Sequence, residues 1–252
     1  MVVKKFLFLI SVSLLFLSCS SNNQNVKSAF QTNSASIIDK DVKLLLLKLK
    51  ELKIKLDKRN PQNYNKSNKK RILKLLEEAD GTYVLKHQNK ILKSYKDYLE
   101  LAFSKEKIIN RNDYLILGIY YGIHEAYSLD KNHKFAAFEH KKDLLQKLQK
   151  NLQILKWKIK FDRNISNEYL FLTWQKNWQI ELETIQKNKG NYTIFDINNL
   201  KYIKEKKESI FEPSNFSFEV LLSSMIEDVQ NSLKALGDEP NELTLKALLF
   251  FI

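Results

Sequence analysis

The middle of the chain holds ten uncharged residues, YLILGIYYGI, at positions 114–123. A helix that is apolar on every side is buried on every side, so this stretch predicts an internal helix capped by Asn112 or Asp113. It is too short to span a bilayer, which takes about 20 residues. Gly118 and Gly122 are four residues apart on one face, where a second helix can approach closely. The stretch therefore predicts a domain built around one central helix.

On both sides of this stretch the chain is rich in Leu, Ile and Lys and poor in residues that break helices. It contains 5 Gly and 3 Pro in 252 residues, whereas a β-sandwich or barrel needs many Gly- or Pro-bearing turns. Apolar residues recur at helical spacing in segments 39–60, 67–79, 91–103, 114–123, 140–161, 171–189, 196–209 and 214–236, and a last helix is predicted to start at 238–240. The sequence predicts an all-α fold, an irregular multi-helix bundle of about eight helices.

The N-terminus has the layout of an export signal. Lys4 and Lys5 precede an uncharged run rich in Leu and Phe at positions 6–17, which ends at Ser18 and Cys19. Cys19 is the only cysteine, so no intramolecular disulfide can form. This excludes a secreted scaffold stapled by disulfides.

The junction Ser18-Cys19-Ser20 resembles the lipobox of bacterial lipoproteins, and the resemblance covers only the signal and this junction. It implies cleavage before Cys19, a diacylglycerol on its sulfur and acylation of its new amino group, which together anchor a protein firmly to a membrane. Ser20 is not the Asp that commonly signals inner-membrane retention in this class, so the resemblance implies the outer membrane, facing the periplasm. The same three residues also fit ordinary signal cleavage, which would give a soluble secreted or periplasmic protein, and an uncleaved anchor is a third alternative.

The predicted organisation has three parts. Residues 1–18 form the signal peptide, and residues 19–36 form the lipidated cysteine and a flexible tether. The tether is small and polar and buries too little surface to offset the entropy of ordering. Residues 37–252 form a single all-helical domain.

Positive charge is concentrated at the end of the domain nearest the predicted lipid. The net charge is +13, and residues 40–74 hold 13 basic residues against 3 acidic ones. Lysines near an anionic bilayer contribute about 1 kcal/mol each, which makes Lys48, Lys50, Lys53 and Lys55 a candidate membrane-surface face. The alternative interpretation is that these lysines only solvate exposed helix faces. Nucleic acid is not a predicted partner, since only 4 of the 42 basic residues are Arg and no nucleic-acid module is recognisable.

The sequence contains no complete catalytic or metal-binding motif. His124-Glu125 begins like the zinc-protease motif, but Ser128 stands where the second histidine ligand is needed. His133 and His140 would align only if the loop-like segment between them were helical. We therefore predict scattered surface histidines, no metal site, no cofactor and no catalytic residue, and an enzymatic role is not favoured.

The most individual stretch is FLTWQKNWQ at positions 171–179. On a helix, Trp174 and Trp178 share one face, and Gln175 and Gln179 share an adjacent one. These residues are a candidate ligand groove that stacks a sugar or peptide on the indoles and hydrogen-bonds it through the amides. The favoured interpretation is structural, because aromatic residues at helical spacing usually belong to the core.

These features predict a membrane-anchored periplasmic lipoprotein that acts as a structural or protein-interaction component of the cell envelope, with an unidentified envelope protein as partner. The alternative is a helical periplasmic ligand-binding protein or enzyme that acts on cell-wall glycan or peptide. A binding protein needs a concave pocket of several hundred Å3, here including Gln175 or Gln179, whereas a scaffold packs these residues or exposes them flatly.

Overall fold

The computed structural model describes residues 33–78, 81–129, 138–173, 176–205 and 218–237. The predicted signal peptide, Cys19 and the last predicted helix lie outside these residues. Within the described ranges, no helix is both long enough and apolar enough to cross a membrane.

Helices make up nearly all of the described secondary structure, so the predicted all-α multi-helix fold is confirmed. The helices are α1 (33–59), α2 (Lys66–Glu78), α3 (Tyr95–Ala102), α4 (Arg111–Tyr127), α5 (Phe138–Phe161), α6 (Lys176–Lys189), α7 (Ile194–Asn198), α8 (Lys201–Lys204) and α9 (Phe218–Ala235). Two short strands, β1 (Lys86–His87) and β2 (Lys90–Ile91), pair in antiparallel fashion.

Helix α4 is the central helix that the uncharged stretch predicts. Leu115, Ile116 and Leu117 are consecutive and all fully buried, so neighbours surround the first half of α4 on every side. α2, α3 and α5 pack against it, and α9 packs against α5. A Cβ atom added at Gly118 would lie 2.6 Å from Leu99 Cδ2 of α3, whereas one at Gly122 would meet only Leu148 Cδ1, at 3.8 Å. The close approach therefore occurs at Gly118.

The predicted N-caps of two helices are corrected by the structure. The N-cap position of α4 is occupied by Asn110 in the left-handed conformation (φ 63°), and Asn112 and Asp113 lie inside the first turn, fully buried. At the start of α2 the cap is not Ser67 but Asn65, whose Oδ1 accepts hydrogen bonds from the backbone N–H groups of Ser67 and Asn68.

A β-hairpin precedes α3, where the sequence predicts only a helix. Ile91 belongs to β2, and α3 starts after Ser94, which forms a capping box with Asp97. Gln88 and Asn89 both have positive φ, as a type I′ turn of two residues requires. The apolar spacing that predicts a helix from position 91 therefore covers both the end of β2 and the helix α3.

The N-terminal boundary of the folded part also differs from the prediction. Residues 33–36, assigned to the tether, belong to α1. Ser34 Oγ donates a hydrogen bond to the carbonyl of Ala235 at the end of α9 (2.7 Å). This contact joins the start of α1 to the end of α9.

The segment predicted as one internal helix over 171–189 is divided. Phe171 is fully buried but lies in a non-helical segment, and the helix α6 begins at Lys176. No residue of 178–189 is buried, so α6 lies at the surface. The predicted end is confirmed, because Gly190 follows Lys189 with a φ of +81°.

Candidate functional site

A cleft of about 980 Å3 opens between the C-terminal end of α1, the loop before α6 and one face of α6. α1 and the loop after it contribute Lys58, Arg59, Asn60, Pro61, Gln62 and Asn63. The second loop contributes Arg163, Ser166, Asn167, Glu168, Tyr169 and Leu172, and the other wall consists of Ile180, Glu183, Thr184, Lys187 and Glu205. Its size falls in the range of ligand-binding sites.

Asn60 fixes the floor of the cleft. Its Nδ2 donates to the carbonyl oxygen of Leu172 (2.9 Å), and its Oδ1 accepts from the N–H of the same residue (2.7 Å). Arg59 donates to the carbonyl of Thr173 (3.3 Å). These bonds attach the chain segment at Leu172 and Thr173 to the end of α1.

The loop wall is ordered by its own polar contacts. The guanidinium of Arg163 lies 3.8 Å from the centre of the Tyr169 ring and 3.4 Å from a carboxylate oxygen of Glu183 on α6. Asn164 Nδ2 donates to Glu168 (2.9 Å). Stacking and charge together hold the loop against α6.

The cleft presents charges of both signs and the side-chain amides of Asn60, Gln62, Asn63 and Asn167. Arg163 and Glu183 pair with each other, while Lys58 and Lys187 supply further positive charge and Glu168 supplies further negative charge. Such a lining can pair both ends of a zwitterionic or mixed-charge ligand, and the neighbouring amides can both donate and accept hydrogen bonds. The cleft is therefore suited to a polar ligand that carries both charges.

Beneath the cleft lies a buried ionic cluster at the meeting point of α1, α2 and α4. Lys53 Nζ donates to Asp57 (2.7 Å) and to Asp113 (2.6 Å), and all three side chains are 0% exposed. Asn112 Nδ2 bonds both Asp57 (3.1 Å) and the carbonyl of Asn60 (3.3 Å), which connects the cluster to the cleft floor. Lys69 Nζ lies 3.6 Å from Asp57, so two cations face two carboxylates.

The proposed membrane face of lysines is corrected by this cluster. Lys53 cannot touch a bilayer, because it is fully buried among carboxylates. Lys48, Lys50 and Lys55 keep partly exposed side chains and are ion-paired with Asp228, Glu77 and Glu51 respectively. At 3.6 residues per turn, Lys48 and Lys55 share one side of α1 while Lys50 lies on another, so the four residues do not form one face.

A signal for Lys53 was present in the sequence. Lys53 follows Leu49 by four residues and precedes Leu56 by three, which places it on the apolar face of α1. A lysine at such a position needs a buried carboxylate. Asp57, one helical turn later, could be recognised from the sequence as a partner of Lys53, but Asp113 could not.

The Trp-Gln stretch is only partly described. Trp174 and Gln175 lie outside the described residues. Trp178 is half-buried and Gln179 is exposed, and Gln179 does not line the cleft. Because α6 lies at the surface, the prediction that Trp178 belongs to an internal seam is wrong.

The histidines do not form a site in the described residues. His124 is buried in α4 with its ring 4.2 Å from that of Tyr120, which corrects the expectation of a surface histidine. His133 and the side chain of His140 lie outside the described residues. Within the part of the chain that the structure describes, no group of three or more His, Cys, Asp or Glu residues could hold a metal ion.

A second buried polar group joins α1 to α9 and α4. Asp41 accepts a hydrogen bond from Ser232 Oγ (2.8 Å), which accepts one from Tyr127 (3.0 Å). Burial raises the pKa of Asp41 above its ordinary value of 3.8. The proton therefore binds more tightly to the folded chain than to the unfolded chain.

Asp41→Asn is expected to weaken the dependence of stability on pH. Because the folded-state pKa is the higher one, this carboxyl lowers the free energy of unfolding as the pH rises above 3.8. Thermal melts over a series from about pH 3.5 to about pH 7.5 should show a smaller change for this variant than for the parent. Asp39→Asn, an exposed change on the same helix, should leave the difference intact. Equal pH dependence in Asp41→Asn and the parent would contradict this assignment.

Comparison with known proteins identifies no relative of this chain: no family model, no curated protein and no solved structure matches it.

Proposed function

We propose that the chain is a membrane-anchored periplasmic lipoprotein, acylated at Cys19, that acts as a protein-interaction component of the cell envelope. Its helical domain binds a polar segment of a partner protein in the cleft between α1 and α6. The observation that carries this proposal is the mixed-charge lining of that cleft. In this proposal the lipid anchors the domain in the cell envelope, and the charges of the cleft determine which partner binds.

The chemistry of the lining favours a peptide segment of mixed charge. Lys58 and Lys187 can pair with acidic side chains or a carboxylate, and Glu168 with a basic group. Asn63 and Gln62 can bond peptide N–H and C=O groups, which every peptide offers in equal number. Leu172 and Ile180 add only a small apolar area, so the ligand is polar rather than lipid-like.

A peptide or glycan of the cell wall is the second candidate for the same cleft. Peptides that carry both amino and carboxyl groups satisfy the same pairs of charges. A protein segment and a wall fragment differ in mass and in chemical composition, so covalent capture in the cleft distinguishes them.

Photocross-linking tests the cleft in intact cells. A photoreactive residue in place of Gln62 or Thr184, one on each wall, should yield a discrete adduct. The same residue in place of Lys74, which is exposed on α2 outside the cleft, should not yield it. Mass spectrometry of the adduct identifies protein or wall fragment.

Charge reversal provides the control for this experiment. Lys58→Glu combined with Lys187→Glu should abolish the adduct at Thr184, because both acid-binding positions are lost. An adduct that survives the double reversal, or that forms equally from position 74, would show that the cleft does not bind the partner.

The lipid anchor is tested at Cys19. Cys19→Ser should abolish labelling by a radioactive or clickable fatty acid and should move the chain from the membrane to the soluble fraction or leave the precursor uncut. Ser18→Ala retains a small residue at the junction and should preserve labelling. Unchanged membrane partition together with normal cleavage of Cys19→Ser would contradict the lipoprotein proposal.

A further inference from the structure

The turn between α6 and α8 projects large apolar side chains into solvent. α6 ends at Lys189, Gly190 reverses the chain, and α7 follows. Ile194 is 78% exposed, Phe195 is 74% exposed and Tyr192 is 45% exposed. We call residues 190–195 the α6–α7 tip. Burying three such side chains is the usual outcome in a folded domain, so a contiguous exposed group indicates a binding surface.

The backbone of the tip is held in place, so this exposure is a property of the fold. Thr193 Oγ1 accepts from the N–H of Asp196, and the Asp196 carboxylate accepts from the N–H of Thr193 (3.0 Å), which closes a capping box. Lys189 Nζ also lies 3.1 Å from Asp196. α8 returns along α6, where the N–H of Lys201 donates to Glu181 (2.8 Å). The turn is therefore a rigid hairpin of helices with its apolar residues at the end.

No residue of α7 contributes to the core. All five of its positions are exposed or only half-buried, so Ile194 and Phe195 do not stabilise the fold by packing. Burial of their exposed apolar surface against a partner would therefore be favourable.

We propose that the α6–α7 tip inserts into the surface of an anionic membrane and so orients the domain there. The size of the tip favours a lipid surface over a protein. A stable protein interface buries about 800 Å2 on each side, whereas three side chains of this size expose roughly 300 to 400 Å2. A bilayer accepts so small a wedge, because aromatic and aliphatic side chains partition into its interface without a complementary surface.

Charge around the tip matches an anionic bilayer. Lys187 and Lys189 precede it and Lys201 and Lys204 follow it, and all four are exposed. Asp196 pairs with Lys189 and Glu205 lies 4.0 Å from Lys201, so residues 187–205 carry four lysines against two carboxylates and a net positive charge. Lysines around an apolar wedge are the arrangement of interfacial membrane anchors.

The proposed lipid at Cys19 gives this inference its setting, since a tethered domain meets the membrane constantly, but the binding itself needs no lipid on the chain. The test uses the chain from residue 19 onward with Cys19→Ser. Every described core residue lies at position 38 or beyond, so this chain keeps the core. Failure of Cys19 acylation is detected separately by fatty-acid labelling.

Vesicle co-sedimentation measures the contribution of the tip. Vesicles of phosphatidylcholine with phosphatidylglycerol should bind the chain, and the combined variant Ile194→Ser and Phe195→Ser should bind about tenfold more weakly or worse. The variant should melt like the parent, because Ile194 and Phe195 are largely exposed. Pure phosphatidylcholine vesicles should bind the parent less, and added salt should weaken binding to the anionic ones.

Matched surface changes elsewhere provide the control. Ile165 is 78% exposed and Val220 is 66% exposed, so Ile165→Ser with Val220→Ser removes two exposed apolar side chains away from the tip. This control should bind vesicles like the parent. If it weakens binding as much as the tip variant, or if the tip variant binds normally, the proposal is wrong.

Insertion can be measured by fluorescence. Because Cys19→Ser leaves the chain without cysteine, a single new cysteine can be labelled at a chosen position. Ile194→Cys labelled with an environment-sensitive fluorophore should shift to shorter wavelength when anionic vesicles are added, and labelled Ile165→Cys should not. Identical responses from the two positions would overturn insertion at the tip.

Discussion

Lys53→Met is expected to destabilise the domain by about 3 to 5 kcal/mol, because it leaves two buried carboxylates without their shared cation. Lys53, Asp57 and Asp113 have no exposed side-chain surface, so water cannot replace the lost ammonium group. Burial already raises the pKa of Asp57, and removing Lys53 strengthens that effect. Urea denaturation followed by circular dichroism measures the change.

Lys55→Met is the matched control on the same helix. Lys55 is partly exposed and pairs with Glu51 at 3.0 Å, so its replacement should cost less than about 1 kcal/mol. A second variant, Lys53→Met with Asp57→Leu, should recover part of the lost stability, because it removes one of the two buried carboxylates that lose Lys53. If Lys53→Met costs no more than Lys55→Met, the cluster does not stabilise the junction of α1 and α4.

Gly118→Ala is expected to destabilise the domain by about 1 to 3 kcal/mol, although alanine is the better helix former. The new methyl group would lie 2.6 Å from Leu99 Cδ2 and 3.3 Å from the backbone nitrogen of Leu99. α3 must therefore move away from α4, or Leu99 must leave its preferred rotamer. A melting curve measures the change.

Gly122→Ala is the paired control one turn later on α4. Its methyl group would meet only Leu148 at an ordinary contact distance of 3.8 Å, so helix propensity should dominate and stabilise by up to about 1 kcal/mol. Leu99→Ala combined with Gly118→Ala should show favourable coupling, because the smaller side chain removes the overlap. Equal effects of the two glycine changes would contradict the close approach of α3.

The two glycines also illustrate what a sequence can and cannot resolve. Their spacing correctly predicted a helix face that a neighbour can approach closely. Only the packed structure distinguishes Gly118, which lies against Leu99 of α3, from Gly122, which has room for a methyl group. Spacing defines a face, whereas the neighbouring helix defines which position on it is crowded.

Most of the candidate site could not be predicted from the sequence. The cleft depends on Asn60 and Leu172, which are 112 positions apart, and no periodic pattern links them. The Trp-Gln stretch drew attention to the neighbourhood of α6, but the cleft uses Glu183, Thr184 and Lys187 of that helix instead of Gln179. In the sequence, Asn60 is recognisable only as the end of a helix before Pro61. Its two hydrogen bonds to Leu172 could not be predicted.

The sequence by itself determined the all-α class, the burial of the first half of α4 and the end of α6 before Gly190. These features depend on apolar periodicity and on residues that terminate helices, both of which act within one or two helical turns. Only the tertiary structure decided that Lys53 pairs with Asp113, because the two residues are 60 positions apart. It alone decided that α6 lies at the surface and that Ile194 and Phe195 remain exposed. An amphipathic pattern states that a face prefers burial, but whether another element covers that face depends on long-range packing, which local spacing does not encode.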